Sequence, residues 1–145
     1  MTNQNVSNSL KIALADSYVL YLKTQNYHWN VTGPNFQSFH LMFEGQYNDL
    51  FQAVDLIAER IRALGEKAPG AYAKYIELTN LKEGNEDLDS TSMIKELAQD
   101  QDAIVKTFNN VLKQSQDVGD EVTAGMAIDR IEIHQKNAWM LKSSL

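Results

Sequence analysis

The chain has 145 residues, of which 43% are hydrophobic and 22% are charged, as expected of a globular protein long enough to bury a core. Its formal net charge of -6 argues against general affinity for nucleic acid, because phosphate binding requires clustered lysine and arginine side chains. The sequence contains no cysteine, which excludes disulfides and thiolate metal sites.

The first ten residues, MTNQNVSNSL, contain no lysine or arginine and no apolar run. They predict neither a secretory signal nor a basic DNA-binding arm, and residues 1–6 are expected to form a short flexible N-terminus. No stretch approaches the roughly 18 apolar residues needed to cross a bilayer. We therefore expect a cytoplasmic protein with a single domain over residues 1–145.

The first two amphipathic helices are separated by a turn. Helix one runs from about Ser7 to Trp29 and stops before Gly33 and Pro34, which both oppose helix continuation. Its predicted core face contains Leu10, Leu14, Tyr18 and Tyr21. Helix two starts after Asn35 as N-cap and extends to about residue 64, before Gly65. Its predicted buried stripe is Phe36, Phe39, Phe43, Tyr47, Leu50, Val54, Ile57 and Ile61.

A connector over residues 66–90 separates the second helix from the third. It is too long for a bare loop in a compact domain, so its AYAKYIEL segment is expected to form a short extra helix. The third helix spans about residues 91–117, and its predicted core face is Ile94, Leu97, Gln101, Ile104, Phe108 and Val111. The fourth runs from about Gly119-Asp120 to the C-terminus, with a less regular apolar pattern at Ile128, Ile131 and Trp139. The predicted fold is an all-α four-helix bundle of ferritin-like topology, whose long crossover joins helices two and three.

Helix two carries a second, polar stripe beside its core stripe. At about 100° per residue from His40, Glu44 falls near 40°, Asp55 near 60° and Glu59 near 100°. Imidazole combined with carboxylates suits iron and zinc. Asp55 and Glu59 are like charges one turn apart, an arrangement that is mildly destabilising unless a cation lies between them.

The length of helix two prevents one chain from completing such a metal site. Fifteen residues separate His40 from Asp55, which corresponds to about 22 Å of helix. A second copy packed antiparallel across a two-fold axis would bring the Asp55/Glu59 end of one chain to the His40/Glu44 end of the other. His28, close to the turn, is able to join His40 in the same chain.

Other interpretations of these residues remain open. His28 alone is explained as a helix cap or surface residue, and Asp55 and Glu59 as part of a solvated face, with Glu59 paired to Arg62. A metal site inside one bundle would use Glu-x-x-His motifs, and the sequence contains none. His134 is not accompanied by a set of ligand-type residues comparable to that around His28 and His40, and we interpret it as a surface residue.

The sequence resembles the Dps family, the miniferritins known as DNA-binding proteins from starved cells. The resemblance is specific in HWNVTGPNFQSFHLMFE at residues 28–44 and in DLIAERIRALG at residues 55–65. It is weaker in GDEVT at residues 119–123 and WML at residues 139–141, and it extends over nearly the whole chain. It implies a hollow dodecameric shell that oxidises Fe(II), preferably with hydrogen peroxide, stores ferric mineral and protects against oxidative stress.

The resemblance also implies roles for individual residues. The ferroxidase ligands would be His28, His40 and Glu44 from one subunit, and Asp55 and Glu59 from its two-fold partner. Many members have aspartate at the position of Glu44, so the reach of this carboxylate differs here. Trp29 resembles a tryptophan thought to intercept oxidising equivalents near the site; core or interface packing is the alternative.

The same resemblance bears on iron entry and on DNA. Asp120 and Glu121 match acidic positions of the three-fold iron-entry pores, although Gly125 replaces a frequent pore aspartate and leaves other acids, such as Asp117, to contribute. By themselves, acids at this helix start are favourable partners of the helix dipole. Members that condense DNA commonly use a lysine-rich arm, so we expect weak or absent DNA binding. The competing hypotheses are a non-enzymatic shell that compacts DNA and a plain helical assembly.

Overall fold

The computed structural model describes residues 3–145, and within them every regular element is an α-helix. The helices are α1 (Asn3–Asn30), α2 (Phe36–Ala63), α3 (Tyr72–Leu78), α4 (Ser90–Asp117) and α5 (Glu121–Lys142). Helices α1, α2, α4 and α5 form the bundle, in which α1 packs on α2 and α4 packs on α5 most extensively. The crossover between α2 and α4 contains α3, which packs on α1, so the predicted bundle and its short extra helix are confirmed.

The ends of the helices follow the turn residues in the sequence. Gly33, at φ 115°, and Gly65, at φ 96°, adopt the left-handed conformation that ends or interrupts a helix at little steric cost. At the N-terminus the prediction is wrong for residues 3–6, which belong to α1 instead of a flexible tail. The physical reason is Val6, whose side chain is fully buried in the core and extends the helix by a turn. Residues 1 and 2 lie outside the part of the chain that the structure describes.

The predicted core faces are largely confirmed. All six residues predicted for α4, including the polar Gln101, are buried. Phe36 is an exception, because it is the first residue of α2 and remains 42% exposed. In α5, Ile128 and Trp139 are 50% and 64% exposed, in keeping with the irregular pattern there. Within residues 3–145, no helix is long and apolar enough to span a membrane.

Buried polar groups hold the crossover against the bundle. The carboxylate of Asp16, which is fully buried in α1, accepts hydrogen bonds from Thr79 Oγ1 at 2.6 Å and from the Asn80 backbone N–H at 2.7 Å. Its second oxygen accepts from Thr107 Oγ1 of α4 at 2.6 Å. These hydrogen bonds connect α1 to α4 and to the crossover. They hold α1 in position, and with it the residues at its C-terminal end.

Candidate metal centre

The turn between α1 and α2 brings His28 and His40 face to face. Their rings are stacked, with centroids 3.7 Å apart and planes inclined by 14°. Nδ1 of His28 lies 2.7 Å from the backbone oxygen of His40, and Nδ1 of His40 lies 2.7 Å from the backbone oxygen of His28. A carbonyl oxygen only accepts hydrogen bonds, so each Nδ1 must donate. A neutral ring held in this way offers the lone pair of Nε2 to a metal ion.

Glu44 extends this pair by a carboxylate. Its Oε1 lies 3.9 Å from Nε2 of His28, on the same side of the turn. The His28 side chain is 7% exposed, whereas the Glu44 side chain is 45% exposed. The structure thus places His28 against His40 and Glu44 beside His28, at the boundary between the core and solvent, although the three side chains do not converge on one point.

Asp55 and Glu59 lie farther along α2. Both are exposed, and neither forms an ion pair with any residue in 3–145. Arg62, the alternative partner of Glu59, instead donates to the backbone oxygen of Glu66 at 3.1 Å. Nowhere in the described chain do three or more histidine, cysteine, aspartate or glutamate side chains converge on a point that would hold a metal ion. The predicted ligands therefore occupy two separate places on one chain.

The outer side of α2 carries large apolar side chains beside these acids. Leu41, Phe51 and Leu56 are 55%, 62% and 60% exposed. Measured from His40 at about 100° per residue, they fall between about 20° and 160°, the arc that also contains Asp55 and Glu59. Several large apolar side chains exposed on one face of a helix are typical of a surface that contacts another chain.

Two aromatic residues flank the histidine pair. Phe36 stacks on His40, with ring centroids 5.0 Å apart and an interplanar angle of 27°, so this exposed phenylalanine covers the imidazole although it is not in the core. Trp29 is 59% exposed, which removes packing in the core of its own chain as an explanation for this residue. Two explanations of Trp29 remain: packing at an interface with another chain, and the redox role that the family resemblance implies.

Asp120, predicted for an iron-entry pore, is the N-cap of α5. Its Oδ1 accepts from the Thr123 backbone N–H at 3.0 Å and from Arg60 Nη2 at 3.2 Å, and its Oδ2 accepts from Thr123 Oγ1 at 2.6 Å. Burial alone would raise the pKa of this carboxyl, but the Thr123 hydrogen bonds and the charge of Arg60 outweigh it and hold the pKa below its ordinary value. Glu121, by contrast, is exposed in the first turn of α5.

Replacing Asp120 by alanine is expected to lower the free energy of unfolding by about 0.5–2 kcal/mol, because α5 loses its cap. Since the folded-state pKa is lowered, the stabilisation is fully present above the ordinary value of 3.8 and is lost as the pH falls through the folded-state pKa. Urea denaturation of both proteins between pH 3 and 7 measures the difference. Asp117→Ala is the matched control, because Asp117 is exposed and its one ion pair within residues 3–145 is with the exposed Lys113. An equal loss in both variants would contradict the capping role.

The prediction that His134 is a surface residue is wrong, because its side chain is fully buried. Nε2 accepts from Arg130 Nη2 at 3.0 Å, so Nδ1 carries the proton and donates to Gln101 Oε1 at 2.7 Å. Burial first, and then the charge of Arg130, hold the pKa of His134 well below its ordinary value. Its seven-residue spacing from Ala127 and Leu141, both fully buried, is the sequence signal that indicates burial.

Comparison with known protein families shows which family this chain resembles in sequence. The profile of the ferritin-like domain family matches residues 7–145. The DNA protection during starvation protein of Helicobacter pylori is 34% identical over 137 residues, which cover 94% of this chain and 95% of that protein.

The fold also matches solved structures of Dps proteins. Dps from Staphylococcus aureus superposes with a TM-score of 0.96 at 37% identity, covering 99% of this chain and 97% of that one. The Dps protein of Vibrio cholerae, described as a member of a broad superfamily of ferritin-like diiron-carboxylate proteins, has a TM-score of 0.93 at 30% identity. That match covers 97% of this chain and 89% of the other.

Proposed function

Because the chain belongs to the Dps family of ferritin-like proteins, we propose that it stores iron and protects the cell by oxidising Fe(II) with hydrogen peroxide at sites shared between two copies. The observation that carries this proposal is the half-site at the α1–α2 turn. His28 and His40 each keep Nε2 free because Nδ1 is bound to a backbone oxygen, and Glu44 lies beside them. This nitrogen and oxygen donor set fits iron.

The missing carboxylates are supplied by a second copy of the chain. In this proposal the partner subunit's Asp55 and the partner subunit's Glu59 complete the ligand set, and two-fold symmetry gives each dimer two equivalent sites. The exposed Leu41, Phe51 and Leu56 supply the apolar contact that holds the two α2 helices together. A dodecameric shell built from such dimers would enclose the ferric product.

The chemistry follows from pairing two metal ions. Two Fe(II) ions together deliver the two electrons that reduce one hydrogen peroxide, with two protons, to two water molecules, so no hydroxyl radical is released. The carboxylates stabilise the charge of the Fe(III) product, and the imidazoles set the affinity and selectivity of the site. Zinc suits the same donor set and would compete with iron for it.

Iron oxidation is tested by anaerobic Fe(II) loading of the wild-type protein and of His28→Ala/His40→Ala, followed by peroxide. The variant is expected to lose site-dependent oxidation and to precipitate iron in solution, because both imidazole ligands are gone. Absorbance of the ferric product and the soluble iron after centrifugation measure the two effects. Gln135→Ala/Lys136→Ala on the exposed side of α5 is the control, and equal rates and equal soluble iron in wild type and the histidine variant would refute the site.

Compaction of DNA by a non-enzymatic shell is the alternative function. The relatives named for DNA protection motivate it. Against it stands the formal net charge of -6, because phosphate binding requires clustered lysine and arginine side chains. We therefore predict weak or absent DNA binding. A cytoplasmic location is a separate prediction of the proposed function.

A further inference from the structure

Four tyrosines extend from the histidine pair to the far side of α1. Tyr47 contacts His28 edge to face at 5.1 Å between ring centroids, and Tyr21 lies 6.0 Å from Tyr47. Tyr18 follows at 6.3 Å from Tyr21, and Tyr75 of α3 stacks on Tyr18 at 4.7 Å. Each step lies within the range of directly interacting rings. The series connects the candidate metal centre to the crossover without a gap.

The far end of this series opens on a surface cavity. The cavity has a volume of about 530 Å³ and is lined by Tyr18, Tyr21, Tyr72 and Tyr75 among others. Tyr18, Tyr21 and Tyr47 are half-buried, and Tyr75 is 7% exposed, with its hydroxyl donating to the Pro69 backbone oxygen at 2.7 Å. The rings are therefore largely screened from water, and those of Tyr18, Tyr21 and Tyr75 meet the cavity as part of its lining. Packing at these half-buried positions would be satisfied equally well by phenylalanine or leucine, which have no hydroxyl group. The exposed Phe51, 6.2 Å from Tyr21, is a side branch of the series that carries no phenol. Packing therefore does not explain why all four residues of the series are tyrosines.

We propose that Tyr47, Tyr21, Tyr18 and Tyr75 form a relay that carries single oxidising equivalents from the iron site to this cavity, where a small thiol quenches them. The inference rests on the proposed function, because it requires iron and peroxide at His28. It concerns sites that hold a single Fe(II), which supply only one of the two electrons that hydrogen peroxide needs. A second electron must then come from the protein.

The reaction balances with one phenol as the second donor. One Fe(II), one Tyr47 phenol and one hydrogen peroxide give Fe(III), a Tyr47 phenoxyl radical, hydroxide and water. An electron and a proton then pass from Tyr21 to Tyr47, next from Tyr18 to Tyr21, and last from Tyr75 to Tyr18. At the cavity a thiol gives a hydrogen atom to the terminal phenoxyl radical, which restores the phenol and leaves a thiyl radical. Two thiyl radicals combine to a disulfide.

Tyr27 and Trp29 are the other oxidisable side chains next to His28 in sequence. The Tyr27 hydroxyl donates to Glu96 Oε1 at 2.6 Å, and burial, followed by this hydrogen bond, raises the pKa of the phenol. It therefore faces α4 and does not contact the tyrosine series. Trp29 is 59% exposed to solvent, and the ring contacts of the four tyrosines do not include it. Oxidation at Trp29 would leave the radical at the site, whereas the relay moves it to the cavity.

The relay is tested with half the Fe(II) needed to fill the sites, followed by peroxide and a nitrone spin trap. Trapped radicals are located by peptide mapping and expressed per iron oxidised in the same sample. We expect label at Tyr18 and Tyr75 in the wild-type protein and its loss in Tyr21→Phe, with accumulation at Tyr47. Tyr72→Phe is the matched control, because Tyr72 lines the same cavity but is outside the series; it is expected to keep the wild-type labelling.

The possible outcomes separate the relay from the iron chemistry on which it rests. If wild-type protein oxidises iron but Tyr21→Phe keeps the label at Tyr18 and Tyr75, the relay is refuted and the proposed function stands. Label confined to Trp29 in the wild-type protein refutes the relay in the same way. If the wild-type protein oxidises no iron, the proposed function fails, and the relay fails with it. Addition of a small thiol is expected to remove the label at Tyr18 and Tyr75 and to form disulfide.

Discussion

Co-assembly of two inactive variants is expected to restore iron oxidation. One chain carries His28→Ala/His40→Ala and the other carries Asp55→Asn/Glu59→Gln, so neither homo-oligomer contains a complete ligand set. In a mixed two-fold pair, the imidazoles of the acid variant meet the carboxylates of the histidine variant, and one of the two sites is intact. Random mixing makes half of the pairs mixed, so about one quarter of all sites should be active.

The experiment requires differently tagged chains that are co-expressed and purified through both tags. Initial rates of peroxide-dependent Fe(II) oxidation are compared with the wild-type protein at equal subunit concentration. The control is the same two variants assembled separately and then pooled, which should stay inactive as long as subunits do not exchange. A co-assembled mixture that is as inactive as its parents would show that the two ligand groups do not meet across subunits.

The geometry of one chain is the reason for expecting complementation instead of independent sites. His28, His40 and Glu44 lie together at the α1–α2 turn, whereas Asp55 and Glu59 are exposed about 22 Å farther along a continuous helix. A continuous 28-residue helix with buried residues from Phe39 to Ile61 does not fold back on itself. In the proposed site, the acids at the turn must therefore come from another copy.

The positions of the helices were predictable because local signals and the core agree. Gly33, Pro34 and Gly65 interrupt the helical periodicity, and the structure ends α1 and α2 at those points. Helix α4 shows the same agreement, since its regular apolar spacing is buried in full. At the end of a helix, where there are fewer neighbouring elements to pack against, the spacing of apolar residues does not reliably predict which side chains are buried. Phe36 follows the core period of α2 but, at the first residue of the helix, it has neighbours on one side only.

The residues of the candidate site stay a prediction from the sequence, and the structure adds the geometry that the sequence does not contain. Residue type and spacing single out His28, His40 and Glu44, but the reciprocal hydrogen bonds from each Nδ1 depend on how the turn closes. Hydrogen bonds between residues that are far apart in the chain also could not be predicted from the sequence. His134 is bound to Gln101, 33 residues away, and this partner makes a buried histidine tolerable in the core. The same limit applies to the tyrosine series, whose members come from three helices.

The second large effect is expected at Lys23, a cation buried between α1 and α4. Its side chain is 3% exposed, and Nζ lies 2.8 Å from Asp100 Oδ2 and 3.1 Å from Glu96 Oε1. It also donates to the backbone oxygen of Lys82 in the crossover at 3.1 Å. Removing one partner of a buried ion pair leaves the other charge uncompensated, which costs about 3–5 kcal/mol. Lys23→Met keeps an unbranched side chain that is one heavy atom shorter, and it removes the charge together with the hydrogen bond to the Lys82 backbone oxygen.

Urea denaturation at fixed protein concentration is expected to show a loss of about 3–5 kcal/mol in Lys23→Met. The matched control is Lys142→Met, because Lys142 pairs with Asp102 at the same 2.8 Å but both side chains are more than half exposed. That pair should contribute about 1 kcal/mol or less, since solvent screens it. Equal losses in the two variants would mean that burial does not strengthen the Lys23 pair.

The pH dependence identifies the charge responsible for the loss. Burial raises the pKa of Asp100 even though Lys23 opposes the shift, and removing Lys23 should raise that pKa further. A carboxyl whose folded-state pKa exceeds its unfolded value costs stability as the pH rises through the folded-state pKa. The deficit of Lys23→Met should therefore shrink on acidification and in Lys23→Met/Asp100→Leu, where the uncompensated charge is replaced by an apolar side chain. A deficit that is independent of pH and survives in the double variant would assign the loss to packing around Lys23 and not to the buried charge of Asp100.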